Sequence, residues 1–115
     1  MKRFWIVLGL TIAVAGCAHI AQERDVNKIY YPSGVLKSVW ETDKGKLNGI
    51  KREYNEEGVL KSATTYKDGK IDGMHNIYRV DGSLWTKEIY ENGKLITRQE
   101  FDEEGYLTSQ DDLDN

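Results

Sequence analysis

The chain has 115 residues and a formal net charge of −3, and 30% of its residues are charged. A negative chain is poorly suited to nucleic acid, because such binding depends on Lys and Arg neutralising phosphates. Cys17 is the only cysteine, which excludes an intramolecular disulfide and with it a fold held together by disulfides.

The N-terminal segment has the layout of a secretory signal peptide. Lys2 and Arg3 precede an uncharged, mostly apolar run at positions 4–15, and small residues then lead up to Cys17. A membrane-spanning helix needs about 20 apolar residues, so this run is too short to span a bilayer comfortably. A short basic start, a short apolar run and small residues before the cut are typical of a cleaved signal. We predict a signal peptide at 1–16 and a linker, starting with the cysteine, at 17–25.

The stretch Val14-Ala15-Gly16-Cys17 resembles the lipobox of bacterial lipoproteins, although Val14 stands where leucine is commonest. The resemblance implies that the Cys17 thiol receives a diacylglyceryl group and that Cys17 becomes the new N-terminus. Loss of 1–16 would leave 14 basic and 19 acidic residues, a net charge of −5. Attachment would then depend on the acyl chains rather than on attraction to anionic lipid. Ala18 after the cysteine, in place of aspartate, implies the outer membrane if the source is Gram-negative.

The rest of the chain repeats with a period of 24 residues. One series of glycines lies two residues before a leucine and four after a tyrosine or phenylalanine: Gly34, Gly58, Gly82 and Gly105. A second series precedes lysines: Gly45, Gly69 and Gly93. These markers divide the chain into units at 26–49, 50–73 and 74–97, a partial unit at 98–113, and an acidic end at 114–115. A fixed period of this length indicates a repeat architecture.

Both glycine series predict β-turns. The segments YPSG, NEEG, RVDG and DEEG suit type I turns with a left-handed glycine in last position. The segments DKGK, KDGK and ENGK include Asp-Gly and Asn-Gly, the strongest short hairpin signals. Runs rich in β-branched and aromatic residues, as strands are, lie between the turns. We therefore predict an all-β fold: a single-layer antiparallel meander of stacked β-hairpins that follows the signal segment.

Loop length decides which side chains share a face, because successive strand residues point to opposite faces. In a repeat of 24 residues, each unit presents the same face as the last under either of two arrangements. Both loops have three residues, or the Asp-Gly loop has two residues and a β-bulge compensates for the change of face. Gly49 and Gly73 are the bulge candidates of the second arrangement. We expect the first arrangement. It places a strip of aromatic and leucine side chains on one face, and such strips mark interaction sites. The candidate partner-binding residues are Tyr54, Tyr66, Tyr78, Tyr90, Leu60 and Leu84.

The pattern Tyr-x-x-x-Gly-x-Leu, followed by Tyr-x-x-Gly-Lys-hydrophobic-x-Gly, resembles the MORN repeat in its bacterial variant. The resemblance covers about 26–113, and its best copy is Tyr54–Gly73. The first copy has Thr42 in place of the second tyrosine, the third has Thr97 where Gly73 stands, and the fourth lacks the Gly-Lys half. The resemblance implies a β-hairpin solenoid that serves as a binding or spacing module. Bacterial members are often labelled antitoxin-like.

No residue pattern indicates catalysis. His19 and His75 lack partners in a recognisable motif, and the chain does not offer the four ligands of a zinc site. The pairs Glu56-Glu57 and Glu103-Glu104 occupy turns, where polar residues are expected anyway, and the alternating spacing of an EF-hand calcium loop is absent. We predict a protein that is not an enzyme and uses no metal or cofactor.

Two functional classes stay open. The first is a membrane-anchored envelope lipoprotein whose repeats are a non-catalytic binding or scaffold module for another envelope protein. The second is an antitoxin-like or immunity-like protein that neutralises a toxin partner. Export argues against a cytoplasmic toxin and permits protection against a toxin that reaches the envelope. Both classes predict membrane contact through the N-terminal acyl chains and a protein partner.

Overall fold

The computed structural model describes residues 24–113, which form one open antiparallel sheet. The strands are β1 (Arg24–Tyr30), β2 (Leu36–Asp43), β3 (Lys46–Leu47), β4 (Gly49–Tyr54), β5 (Leu60–Lys67), β6 (Lys70–Tyr78), β7 (Leu84–Glu91), β8 (Lys94–Phe101) and β9 (Leu107–Asp112). They follow one another in chain order, except that the short β3 pairs with β2 beside β4. The predicted all-β single-layer meander is confirmed. Its first strand starts inside the predicted linker.

The sheet is one layer thick and has no conventional hydrophobic core. Among residues 24–113 no hydrophobic side chain is fully buried. Stability must therefore come from the hydrogen-bonded ladders and from contacts between neighbouring hairpins, as in other repeat proteins. Within this range no helix has the length and apolar character needed to cross a membrane. The predicted signal peptide and Cys17 lie outside the described residues.

The first hairpin of each unit turns at a left-handed glycine. In the second unit the Gly58 N–H donates to the Asn55 carbonyl at 3.0 Å, and φ of Gly58 is +82°. The Asn55 side chain also accepts hydrogen bonds from the backbone N–H groups of Glu57 and Val59. This is the predicted type I turn. Left-handed glycines end the corresponding turns of the other units: Gly34, Gly82 and Gly105.

A one-residue bulge, not predicted from the sequence, follows each of these turns. Tyr54 lies opposite Leu60, but Glu53 lies opposite Ser62, so Lys61 has no partner in the ladder. The same register shift occurs in all four units, and it leaves out Lys37, Lys61, Trp85 and Thr108. Beyond the bulge, each side chain therefore points to the face opposite to the one that a three-residue loop alone would give it.

The second hairpin has a two-residue loop, so the expectation of two three-residue loops is wrong. Lys67 lies opposite Lys70, and the residues between them, Asp68 and Gly69, have φ of +49° and +84°. Two positive φ values define a type I′ turn, whose twist matches that of the flanking strands. The equivalent loops Lys44-Gly45 and Asn92-Gly93 have the same backbone signature.

A second, wider bulge lies beyond each type I′ turn. In the second unit the register moves by two residues, from Tyr66 opposite Ile71 to Thr64 opposite His75, around Gly73 at φ +111°. In the third unit it moves by only one, because Tyr90 lies opposite Leu95 and Ile89 opposite Thr97. One residue is therefore missing from this bulge. Thr97 is equivalent to Met74 rather than to Gly73, which corrects the sequence alignment and explains the final spacing of 23.

The type I′ turns also join neighbouring hairpins. The Gly69 N–H donates to the Leu47 carbonyl at 2.9 Å, and the Gly93 N–H donates to the Ile71 carbonyl at 2.8 Å. Donor and acceptor hold equivalent positions in successive units, so the same hydrogen bond recurs along the side of the sheet on which the type I′ turns lie. The 24-residue period of the sequence is therefore also the spacing at which this hydrogen bond repeats.

Substitution of the turn glycines tests the first hairpin. Gly58 and Gly82 have φ of +82° and +90°, and no atom beyond the adjacent residues lies within 4 Å of a Cβ added at either position. Valine there should cost only backbone strain, about 1–3 kcal/mol of the free energy of unfolding. Asparagine, which tolerates positive φ, should cost less. Thermal unfolding followed by circular dichroism measures both, and an unchanged Tm in the valine variants would show that the turn is misassigned.

Candidate functional site

The predicted tyrosine strip is divided between the two faces of the sheet. Residues directly opposite each other share a face, and strand neighbours alternate. Thr64, His75 and Glu88 lie opposite one another on β5, β6 and β7, so they share a face. Tyr66 lies two residues after Thr64, and Tyr90 lies two residues after Glu88, so both tyrosines belong to this face.

We call this face, which also carries Ser38, Ser62 and Thr86, the hydroxyl face. Tyr54 and Tyr78 each follow a residue that lies opposite Ser62 or Thr86, so they point to the other face, and Leu60 and Leu84 lie opposite these tyrosines. We call this second face the Tyr–Leu face: Tyr54, Leu60, Tyr78 and Leu84. The expectation of one strip with all six residues is therefore wrong, because the one-residue bulge reverses the phase within each unit.

The hydroxyl face carries the buried polar side chains of the described chain. Ser38, Thr64, Thr86 and Glu88 expose between 3% and 9% of their surface. The Thr64 hydroxyl lies 2.8 Å from His75 Nδ1, and the His75 ring meets the Tyr90 ring edge-on with centroids 6.4 Å apart. His75 is thus a half-buried member of a cross-strand row, on the face opposite Met74 and Tyr78 as predicted.

Tyr90 continues this row into a charged pair. Its hydroxyl donates to Glu88 Oε2 at 3.0 Å, and Glu88 Oε1 lies 3.9 Å from Arg98 Nε. Burial raises the pKa of the Tyr90 phenol above its ordinary value, and the hydrogen bond to the Glu88 carboxylate raises it further. The phenol therefore stays protonated at physiological pH and acts as a donor. The polar groups of Tyr90, Glu88 and Arg98 are thus paired with one another. Together with the contact between the His75 and Tyr90 rings, these pairs link β6, β7 and β8.

A different surface departs from the repeat at the turn between β6 and β7. We call it the Trp85 patch: Tyr78, Arg79, Val80 and Trp85, which together line a shallow depression. Val80 is 81% exposed and Trp85 is 50% exposed. At the position of Val80 the other units have Pro32, Glu56 and Glu103, and at that of Trp85 they have Lys37, Lys61 and Thr108. The third unit thus has apolar residues at two surface positions where the other units, apart from Pro32, have polar ones.

Arg79 holds this patch to the next unit. Its guanidinium donates to the backbone carbonyls of Phe101 at 2.5 Å and Asp102 at 3.3 Å, and to the Leu84 carbonyl of its own hairpin at 3.3 Å. The same group lies 5.7 Å from the centroid of the Trp85 ring. The acceptors in these three hydrogen bonds are uncharged carbonyls.

The first unit makes a related arrangement with the roles exchanged. Tyr31 stands where Arg79 stands, and its hydroxyl donates to the Tyr54 carbonyl of the next unit at 2.8 Å. Lys37 stands where Trp85 stands, and its ammonium lies 5.5 Å from the Tyr31 ring centroid. A cation and an aromatic ring therefore stack at this place in both units, but only the third unit exposes the aromatic partner at the bulge.

Sequence reasoning missed Arg79, Val80 and Trp85 as candidate site residues. The available signal was that Val80 and Trp85 stand at repeat positions where the second and fourth units have polar residues. The predicted lipidation site Cys17 is outside the described residues. In the described part of the chain, no group of three or more His, Cys, Asp or Glu is arranged to hold a metal ion.

Comparison with solved structures finds a similar fold. A chain from the crystal structure of accessory secretory protein 1,2 and 3 in Streptococcus pneumoniae matches with a TM-score of 0.51 and 21% sequence identity. The match covers 86% of the present chain and 19% of the streptococcal chain, so the protein spans about a fifth of that chain's length. At this identity the likeness is one of fold alone.

Comparison with curated proteins finds no match. Comparison with family models finds one family, described as a MORN repeat variant, at residues 47–68. The matched segment runs from the end of the first unit to the type I′ turn of the second, and it includes the tyrosine, glycine and leucine positions of the best copy in the sequence. Residues 47–68 are therefore a MORN repeat variant.

Proposed function

We propose that the protein is a membrane-anchored envelope lipoprotein whose repeats form a non-catalytic module for binding another envelope protein. MORN repeats are generally modules that bind proteins or membranes, and one such repeat lies at residues 47–68. The lipobox-like stretch that ends at Cys17 supports the anchor. The observation that favours a protein as ligand is the Trp85 patch.

The Trp85 patch has the composition of a protein-binding hot spot. Trp, Tyr and Arg are the residues most enriched at such spots, and the patch has one of each beside an exposed valine. Its apolar parts are solvent-exposed, whereas its arginine is already fixed by backbone carbonyls of the next unit. Binding would therefore cost little side-chain ordering at the charged residue. The mature charge of −5 disfavours anionic lipid as the ligand of this surface.

The second unit provides a matched control for this surface. It already folds with Glu56 and Lys61 at the positions of Val80 and Trp85, and with the same turn and bulge geometry. Exchanging Val80→Glu and Trp85→Lys together should remove the apolar patch while keeping the hairpin. We expect the Tm to change by only a few degrees.

A photo-crosslinking amino acid tests the proposal in the native cell. Placed at Tyr106, which is 72% exposed in the next unit, it should attach to one defined envelope protein. The Val80→Glu, Trp85→Lys double variant should lower that yield at least about tenfold, the loss expected for one hot-spot cluster. Equal capture by the parent and by the folded double variant would refute the patch as the binding site, and a toxin as the captured protein would favour an immunity function.

A further inference from the structure

The sheet ends in two strands that each have one unpaired edge within residues 24–113. β1 pairs only with β2, and β9 pairs only with β8. By repeat position β1 is equivalent to β4, β6 and β8, and β9 is equivalent to β2, β5 and β7. Inside the sheet, strands of these two kinds pair with each other at every boundary between units. The two free edges are therefore the two halves of a boundary that already occurs three times.

The register of this boundary is constant. Ser38 lies opposite Glu53, Ser62 opposite Ile77, and Thr86 opposite Glu100, which are equivalent pairs in successive units. One further step along the repeat brings Ser109 opposite Ile29 of a second copy. Since neighbouring pairs follow, Gln110 comes opposite Lys28 in the same antiparallel arrangement.

The free edges also carry side chains that the interior units partly cover. Tyr30 on β1 is 55% exposed and Leu107 on β9 is 51% exposed. Their equivalents Tyr54, Tyr78, Leu60 and Leu84 are all half-buried. A strand from a second copy on either edge would therefore supply the neighbour that these side chains lack.

Charge distinguishes the ways in which two copies can meet. β1 carries Arg24 and Lys28 against one acidic residue, Asp25, whereas β9 carries Asp111 and Asp112 with no basic residue. Two β9 edges would repel each other, and so would two β1 edges, although less strongly. A β9 edge and a β1 edge attract, and such complementarity selects partner and orientation.

We propose that the protein associates with a second copy of itself head to tail, with β1 of one copy pairing in an antiparallel manner with β9 of the other. The contact joins two different surfaces and leaves one free edge of each kind, so it propagates into a linear array. Every copy keeps the same face orientation, because the new boundary has the register of those within the chain. This self-association goes beyond the proposed binding function and depends on neither the anchor nor the Trp85 patch.

Disulfide trapping in the full-length protein tests the register. Two differently tagged copies are produced together in an oxidising compartment, one with Gln110→Cys and the other with Lys28→Cys, both at exposed positions. Opposed residues in an antiparallel pair lie within the range a disulfide can bridge. We expect a crosslinked heterodimer well above the background of copies with Cys17 alone. In the matched control, Ile29→Cys replaces Lys28→Cys, and no crosslink should form because its side chain points to the other face.

A charge reversal tests the selectivity. To keep Lys28, the reversal is read from the opposed pair Ser109→Cys and Ile29→Cys. Asp111→Lys with Asp112→Lys in the Ser109→Cys copy should lower the heterodimer yield at least about tenfold, since it makes both edges basic. The same change of charge at Glu56 and Glu57, in an interior turn, should leave the yield unchanged. The proposal is overturned if folded copies give no Gln110–Lys28 heterodimer, if the Ile29 control crosslinks equally, or if Gln110→Cys copies crosslink to one another as readily.

Discussion

Replacement of Cys17 by serine is expected to abolish lipid labelling of the protein and to release it from the membrane. The thiol is the predicted acceptor of the diacylglyceryl group, and serine lacks it. Each buried CH₂ of an acyl chain contributes about 0.8 kcal/mol to membrane attachment. The chain that follows Cys17 has 14 basic and 19 acidic residues, so it offers no electrostatic attraction to anionic lipid in compensation. Metabolic labelling with a palmitate analogue and membrane fractionation measure the two effects.

The neighbouring position supplies the control for this experiment. Ala18→Ser changes a small residue beside the same predicted cleavage point but keeps the thiol, so it should label as the parent does. Ala18→Asp should also keep the label and, in a Gram-negative host, move the protein to the inner membrane. If Cys17→Ser and the parent were labelled equally, the prediction of an acylated cysteine would be wrong.

Alanine at Gly73 is expected to destabilise the sheet more than alanine at Gly49, although the two glycines hold the same repeat position. Both have positive φ, +111° and +101°, and each would incur strain of roughly 1–3 kcal/mol. They differ in their surroundings. A Cβ at Gly73 would lie 3.3 Å from Thr65 Cβ, whereas one at Gly49 would lie 3.5 Å from a carboxylate oxygen of the flexible Glu41 side chain and 4.0 Å from Glu41 Cβ. Crowding against a β-branched residue should add about 1 kcal/mol or more.

Chemical denaturation of the two single variants and of Gly73→Ala with Thr65→Ala separates strain from crowding. Thr65→Ala removes the Cγ2 atom that would lie 3.4 Å from the new Cβ, so the double variant should recover part of the excess loss. With the Thr65→Ala single variant added, the parent, Gly73→Ala and the double variant complete a cycle that isolates the coupling energy. Equal destabilisation at Gly49 and Gly73 would show that crowding at the wide bulge contributes nothing.

Glycine spacing and turn composition were enough to predict the hairpins and their order. Asp68-Gly69 and Asn92-Gly93 have the residue types that a two-residue type I′ loop requires, and Gly58 and Gly82 have the left-handed conformation expected of them. These signals are local, because each depends on the backbone preferences of one or two residues.

The assignment of faces could not be predicted in the same way. It depends on counting every residue between two ladders, and the bulges fall on Lys61 and Trp85, residues with no special backbone preference. Because these bulges were not recognised, Tyr66 and Tyr90 were assigned to the face of Tyr54 although they lie on the opposite one. The Trp85 patch was visible in principle, since it needed only a comparison of Val80 with Glu56 at the same repeat position.

The wide bulge makes the repeat tolerant of changes in its length at one place. Deletion of a residue within a ladder would turn every later side chain of that strand to the wrong side. In the third unit the single residue Ile96 occupies the place of Asp72 and Gly73, yet Thr86 still faces Glu100 as Ser62 faces Ile77. An in-frame loss of one codon at this point therefore preserves the architecture. We expect natural insertions and deletions among related chains to concentrate at this bulge.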